Sequence, residues 1–247
     1  MTDVLVFSRT TGYRHESIPA GIAALRELGR ARGFGVTSTE DPDAFTAEGL
    51  SRYDAVVFLN TSGDVLAGNT SGDVLAGGHR GALEAYVRGG GGFVGVHCAA
   101  ATEPGWPFYA DLVGARFAGH PDVQPAAIRV DDRAHPATGH LAPLWHRTDE
   151  WYDFDRVPSP RVRVLLSLDE SSYVGGTMGA GHPIAWCHSL LGGRAFYTAV
   201  GHTVSSYAEP AVRAHLLGAV SWAAAGNTTA ARSRRRPSPA PPPTARR

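Results

Sequence analysis

Lysine is absent from the 247 residues, so every basic side chain is a guanidinium. No physical function requires that absence, and we read it as a compositional bias toward arginine. Cysteine is nearly absent too. Cys98 and Cys187 are too few for a disulfide framework in a chain of this size. Both lie in apolar, strand-like surroundings and are expected as buried thiols in a reducing compartment. No stretch approaches the roughly 18 consecutive apolar residues of a membrane span, so no membrane partner is expected. The first apolar run, Val4-Leu5-Val6-Phe7, follows Asp3 without a basic start or a small-residue cleavage site. Export is therefore not expected, and a cytoplasmic location is. Acidic residues are missing after Glu209, where Arg232, Arg234, Arg235, Arg236, Arg246 and Arg247 follow. Those six arginines neutralise a body of 17 arginines against 23 acids, giving a formal net charge of zero.

What is present is ordinary for a globular α/β protein, with 43% hydrophobic and 19% charged residues. The length suits one large domain, expected over residues 1–226. From residue 227 to 247 the chain is rich in Pro, Ser, Ala and Arg, with too little apolar surface to offset ordering entropy. A disordered, solvated extension is expected there, and a nucleic-acid partner is not. The nonapeptide Asn-Thr-Ser-Gly-Asp-Val-Leu-Ala-Gly occurs twice, at 60–68 and 69–77. Two copies cannot form a solenoid, so the repeat reads as a lengthened loop.

Elsewhere strand and helix patterns alternate. Val4–Arg9 is a short, nearly continuous apolar run, as expected of a parallel strand covered on both faces, and Val36–Thr39, Ala55–Leu59 and Phe93–Val96 read as three further strands. Ile128–Val130, Val162–Leu168, Ile184–Ser189 and Ala195–Val200 read as later strands. Helices are expected over Ser17–Arg32, His79–Arg88 and Glu209–Ala225. The pattern predicts a mostly parallel, doubly wound sheet, a three-layer α/β sandwich of flavodoxin-like type. In such sheets ligands bind beyond the carboxyl ends of the strands. Three histidines stand there: His15 after the first strand, His97 after the fourth and His202 after the last, with Asn60 and Thr61 after the third. A shared polar site is expected at that edge. The glycines of Gly89–Gly92 precede a strand instead of following one, so they are a turn and not a phosphate loop.

Gly95-Val96-His97-Cys98-Ala99-Ala100 reads as a strand-to-helix elbow exposing one side chain. It resembles the elbow of class I glutamine amidotransferases, and more specifically that of the ThuA-like (trehalose utilisation) family, in which histidine holds the elbow position. Further segments are similar to that family in the same order. They are Gly12-Tyr13-Arg14-His15-Glu16-Ser17-Ile18, Leu59–Asp64, Phe117–Pro121, His135-Pro136, Asp149–Tyr152, His182–Trp186 and Tyr197–His202. The resemblance spans roughly residues 3–226 and implies a class I glutamine amidotransferase-like fold. It also implies a role in using trehalose or related disaccharides, with 3-keto sugars as intermediates. The amidotransferase triad is incomplete: His97 replaces the nucleophile, Cys98 is displaced by one residue, and Val204 stands where an acid would follow His202. Glutamine hydrolysis is not expected.

In the resulting reading His97, His202 and Glu150 carry acid–base chemistry, since imidazole titrates near neutrality. His15, Asn60, Thr61, His120, Trp151 and Tyr152 are candidates for binding a small-molecule sugar. Acids suit its hydroxyls, and rings suit its apolar face. Trp151 and Tyr152 read equally well as core aromatics. Proline fixes the preceding residue, which favours His120 as a rim residue and leaves His135 and His182 undecided. Imidazole and carboxylate also suit zinc or a similar divalent metal, but no HxH or HExxH spacing is present, so the sequence leaves the cofactor open. It leaves the oligomeric state open as well. Two other functions compete: a non-catalytic sugar- or protein-binding module on the same fold, and a cysteine hydrolase using Cys98 and His202.

Overall fold

The computed structural model describes residues 2–66 and 78–226. Most of the duplicated nonapeptide, and the tail from 227, lie outside the described residues. The elements in chain order are β1 (Asp3–Phe7), α1 (Ile18–Arg32), β2 (Gly35–Thr39), α2 (Ala47–Leu50), β3 (Ala55–Leu59), α3 (Gly78–Arg88) and β4 (Gly92–Val96). Then come α4 (Pro107–Val113), β5 (Phe117–Gly119), β6 (Gln124–Val130), β7 (Leu144–Asp149) and β8 (Asp153–Phe154). The described chain ends with β9 (Arg163–Asp169), β10 (His182–His188), β11 (Ala195–Thr198) and α5 (Pro210–Ala224).

Nine strands form one sheet in the order β2-β1-β3-β4-β11-β10-β9-β6-β7, and β5 pairs with β8 separately. The block from β2 to β11 is parallel, as the apolar runs predict. From β11 outward the sheet continues antiparallel through β10, β9, β6 and β7; strands at β10, β9 and β6 were expected from sequence, but β7 and the antiparallel pairing were not. The α/β expectation therefore holds, and its parallel half carries the strand ends of interest.

Alternation along β3 distributes its residues between two helical layers. Phe58 meets Phe45, Phe93 and Tyr109 in a ring cluster under α2 and α4. Its neighbour Leu59 turns to the other face, where Gly21 of α1 lies against it. On that face α5 joins α1 through the Arg213–Glu27 ion pair at 2.8 Å. Val4–Phe7, Ala55–Leu59 and the aromatic side chains between them are buried. Burying each large apolar side chain contributes roughly 1.5–3 kcal/mol, so the sheet centre is a rigid base for its loops. Among the described residues no helix is long and apolar enough to cross a membrane.

Candidate functional site

Three parallel strands and one antiparallel strand deliver the site. The loops after β1 and β3 are tied together by a bridge between Thr10 and Ser62. Thr11 N donates to Ser62 O at 2.9 Å, and Ser62 Oγ donates to Tyr13 O at 2.6 Å. Gly63 has φ 73°, and a Cβ there would collide with Thr11 Oγ1, so this junction demands glycine. The pinned loops carry His15. After β4 the chain turns sharply at His97, whose φ of 49° is costly for a residue with a Cβ, by about 1–2 kcal/mol. Two contacts hold it: Tyr197 Oη donates to His97 O at 2.9 Å, and His97 Nδ1 donates to Ala199 O at 2.7 Å. The elbow expected from sequence is thus present, with one difference. Its side chain is buried instead of exposed, because it points across the sheet edge into a cluster of polar groups.

That cluster is His15, His97, His202 and Glu150. Glu150 Oε2 lies 3.2 Å from His97 Nε2 and 3.1 Å from His202 Nδ1. Its Oε1 lies 3.3 Å from Nδ1 of the half-exposed His120. The rings of His15, His97 and His202 meet edge to face with centroids 4.8–5.3 Å apart. Burial opposes the charge on Glu150, but the facing His202 and His97 outweigh it and hold the carboxyl well below its ordinary range. Glu150 in turn raises His202 against the opposing effect of burial. Burial, reinforced by His97 and His202, lowers His15 to about 3. At neutral pH the centre therefore holds an anionic carboxylate and a neutral His15, with His202 biased toward its protonated form.

Hydrogen bonding does not account for the ring nitrogens. Neither nitrogen of His15 has a partner, and His97 Nε2 and His202 Nδ1 stand near Glu150 but out of line for a hydrogen bond. Leaving such groups buried and unpaired costs roughly 1–3 kcal/mol each. A second group of potential ligands, Asp153, Glu170 and His182, contrasts with this. There Asp153 accepts from Thr177 N and Oγ1, Glu170 from Met178 N and Gly179 N, and His182 Nε2 donates to Tyr152 O at 2.8 Å. That network is satisfied and braces Tyr152 from behind.

The cluster opens onto a cavity of about 540 Å³ walled by Tyr13, Ser62, Phe117, His120 and Tyr152, with His15, Cys98 and Glu150 at its base. Tyr152 stacks near His97 (centroids 4.1 Å) and faces His120 and Phe117. Of the residues anticipated from sequence, His15, His97, Glu150, His202, His120 and Tyr152 come together. Trp151, Asn60 and Thr61 lie behind. The Trp151 indole is fully buried and donates to Gln124 O. Asn60 Nδ2 is used on Ser17 Oγ, Gly201 O and Tyr207 Oη, and Thr61 Oγ1 is paired with Thr102 Oγ1. His135 forms a buried turn, its Nδ1 accepting from Ala137 N. Tyr13, Ser62 and Phe117 were not singled out as site residues, although each lies within a motif at a strand end. Asp149 was passed over too: its carboxylate accepts from the backbone N–H groups of Glu150 and His202, each at 3.1 Å, and of Gly201 at 3.0 Å.

Cys98 borders the cavity but is poorly placed to act as a nucleophile. Burial pushes its thiol up to about 11, and the nearby Glu150 charge acts in the same direction. At pH 7.5 the folded chain should react with a thiol reagent at least about 100-fold more slowly than free cysteine. Rapid labelling of Cys98 in a timed mass-spectrometric assay would revive the hydrolase reading.

The model of the ThuA family, described as trehalose utilisation, matches residues 3–223. No curated protein matches the chain. Among solved structures, a ThuA-like protein of Bacteroides uniformis shares 26% identity at a TM-score of 0.73, covering 90% of this chain and 91% of its own. A ThuA-like protein of Parabacteroides merdae shares 19% at 0.70, with 91% and 90% covered. A cytoplasmic protein of Salmonella typhimurium shares 14% at 0.62, with 89% and 98% covered, and shows the fold alone. Order of motifs, sheet topology and match over nearly the full described length agree, and the chain belongs to the ThuA, or trehalose utilisation, family.

Proposed function

We propose that this protein acts in the cytoplasm in the breakdown of trehalose or a related disaccharide, and that its cavity takes a sugar, with 3-keto derivatives the favoured class. The observation that carries the reading is the Glu150 carboxylate at the base of an aromatic-walled cavity, flanked by His97 and His202. A sugar offers what these groups match: hydroxyls for the carboxylate, and an apolar face for Tyr152 or Tyr13. In a ketone-bearing sugar the hydrogen beside the carbonyl is acidic. Anionic Glu150 biases His202 toward its protonated form, so that a carboxylate and an imidazole stand side by side to exchange a proton with such a sugar. His97 and His15 shape the base of the site, and His120 closes its rim. Two free, buried cysteines accord with a cytoplasmic setting.

The test is a thermal-shift and turnover screen against trehalose, other disaccharides and their 3-keto forms. A ligand at about 100 times its Kd should raise Tm by about 5–10 °C. A His97→Asn variant, chosen because asparagine tolerates positive φ, should lose that shift or lose turnover while remaining folded. Loss of turnover with affinity kept identifies a catalyst. Loss of affinity with no turnover in the parent identifies a binding module. No shift with any sugar, from folded protein, defeats the carbohydrate assignment.

A further inference from the structure

We propose that His15, His97, His202 and Glu150 bind one divalent transition-metal ion of the zinc class. Each offers one ligand atom, and the four atoms lie within 4.8 Å of one another. Glu150 Oε2 to His97 Nε2 and to His202 Nδ1 are 3.2 and 3.1 Å. Neighbouring ligands on a tetrahedral ion with bonds of about 2.0–2.1 Å stand about 3.4 Å apart. Those two edges are therefore already set, and His15 places its ligand atom within 4.8 Å of the other three.

The second line of argument is the unpaired nitrogens. His15 is 3% exposed and His97 0% exposed, yet both nitrogens of His15, Nε2 of His97 and Nδ1 of His202 lack hydrogen-bond partners. Buried imidazoles that face one another around a carboxylate, out of line for hydrogen bonds, are arranged as ligands. A hydrogen-bonded network would look like the Asp153–Glu170–His182 group, where the carboxylates and His182 all have partners.

The outer contacts fit as well. The bond from His97 Nδ1 to Ala199 O fixes the tautomer whose Nε2 lone pair faces inward, as metal-ligating histidines require. Glu150 and His202 hang from one carboxylate, that of Asp149, which sets their mutual position. Three imidazoles and one carboxylate favour zinc, cobalt, nickel or iron over calcium and magnesium, which prefer all-oxygen shells. A bound ion would act as a Lewis acid on a sugar oxygen presented from the cavity. The assignment stands on the ligand set alone and does not depend on the sugar.

The experiment uses the full chain stripped with EDTA and titrated with zinc chloride by calorimetry, with metal content read by mass spectrometry. One equivalent of zinc per chain is expected, and cobalt in its place should show the intense visible bands of a four- or five-coordinate ion. His202→Gln, at the partly exposed member, and His15→Gln should each weaken zinc at least about 100-fold, since even an outer-shell change costs 10–100-fold. Each variant is checked by its melting curve without metal. The exposed His140→Gln should leave affinity and stoichiometry unchanged. Absence of zinc uptake by folded parent, or uptake unaltered in both site variants, overturns the proposal. No sugar is present in these titrations, so their failure leaves the carbohydrate reading standing, and a failed sugar screen leaves the metal centre standing.

Discussion

Replacing Asp149 with alanine is expected to destabilise the protein by about 3–5 kcal/mol, the typical cost of breaking a buried ion pair. Asp149 is 0% exposed, and its carboxylate takes four donors. Oδ1 accepts from Glu150 N and His202 N, and Oδ2 accepts from Gly201 N and Arg147 Nη1. Arg147 lies two residues earlier on the same face of β7, with its side chain only 2% exposed. Without Asp149 that guanidinium keeps Ser206 Oγ at 2.8 Å and the more exposed Glu209 at 3.1 Å, which compensates only part of its charge. Asp149→Asn preserves volume but turns one acceptor into a donor facing other donors, so it should fall between alanine and the parent. Urea unfolding with the slope held constant measures the loss. An Arg147→Met, Asp149→Leu double change should recover only the part of the loss that comes from the unpaired guanidinium, because the N–H groups of Glu150, Gly201 and His202 still lose their acceptor. A loss below about 1 kcal/mol in Asp149→Ala would mean that water reaches this pair. The same carboxylate places Glu150 and His202, so the variant should also lose the register of the site in whatever population stays folded.

Asp149 also shows where the sequence was readable and where it was not. The parallel half was legible because its inner strands β1, β3 and β4 are buried and written as nearly unbroken apolar runs. Val4–Phe7, Ala55–Leu59 and Phe93–Val96 needed no further signal. The rule that α/β sheets bind at their carboxyl ends then places His15, His97 and His202 together from sequence alone. The antiparallel half was not legible in the same way. β7, Leu-Trp-His-Arg-Thr-Asp, alternates between exposed and buried positions, and its buried members are Arg147 and Asp149. A strand whose inward residues form an ion pair carries no apolar signature. Nothing local to Glu150 therefore connected it to three distant strand ends.

Trp151 and Tyr152 illustrate a second limit. They are adjacent and both aromatic, yet one side chain enters the core toward Gln124 while the other stacks beside His97. Sequence left both open between sugar contact and core aromatic, because which of two neighbours faces the ligand depends on where the chain leaves the strand. Asn60 and Thr61 had the right position at a strand end, but their polar groups bond within the protein, holding Ser17, Gly201 and Tyr207 in one case and Thr102 in the other. They support the loops that carry the histidines.

Acidification should unfold this protein steeply, through histidines remote from the site. His135 and His215 flank the ring of Phe196, at 5.8 and 5.5 Å between centroids. His215 is bonded to Ala137 O and Thr198 Oγ1 where α5 meets the turn at His135. Gly218 permits that approach, since a side chain there would strike the backbone of Pro136 and Ala137. Burial lowers both imidazoles to about 4. In the unfolded chain each titrates near 6.5. Between those values the unfolded state holds more protons, so stability rises with pH across that window and is lost as pH falls below 6.5. Two such groups give a slope of up to about 2.7 kcal/mol per pH unit, or about 4 kcal/mol from pH 6.5 to 4.5. In metal-free protein His15, lowered to about 3, adds a third proton in the same direction. Glu150, held low, adds to the loss only below the ordinary carboxylate range, where its unfolded form takes a proton. His202 has the opposite sign: its raised affinity contributes fully below 6.5 and is lost as pH climbs above it, which places maximal stability near neutrality. Total stability of a domain is about 5–15 kcal/mol, so cooperative unfolding is expected between about pH 5 and 4. Urea melts from pH 4 to 8 in EDTA would measure the slope. His215→Gln should reduce proton uptake on unfolding by about one and flatten it in proportion. A stability curve flat down to pH 4 would instead mean that His135 and His215 charge freely in the folded state, and that the α5 junction opens to water without unfolding.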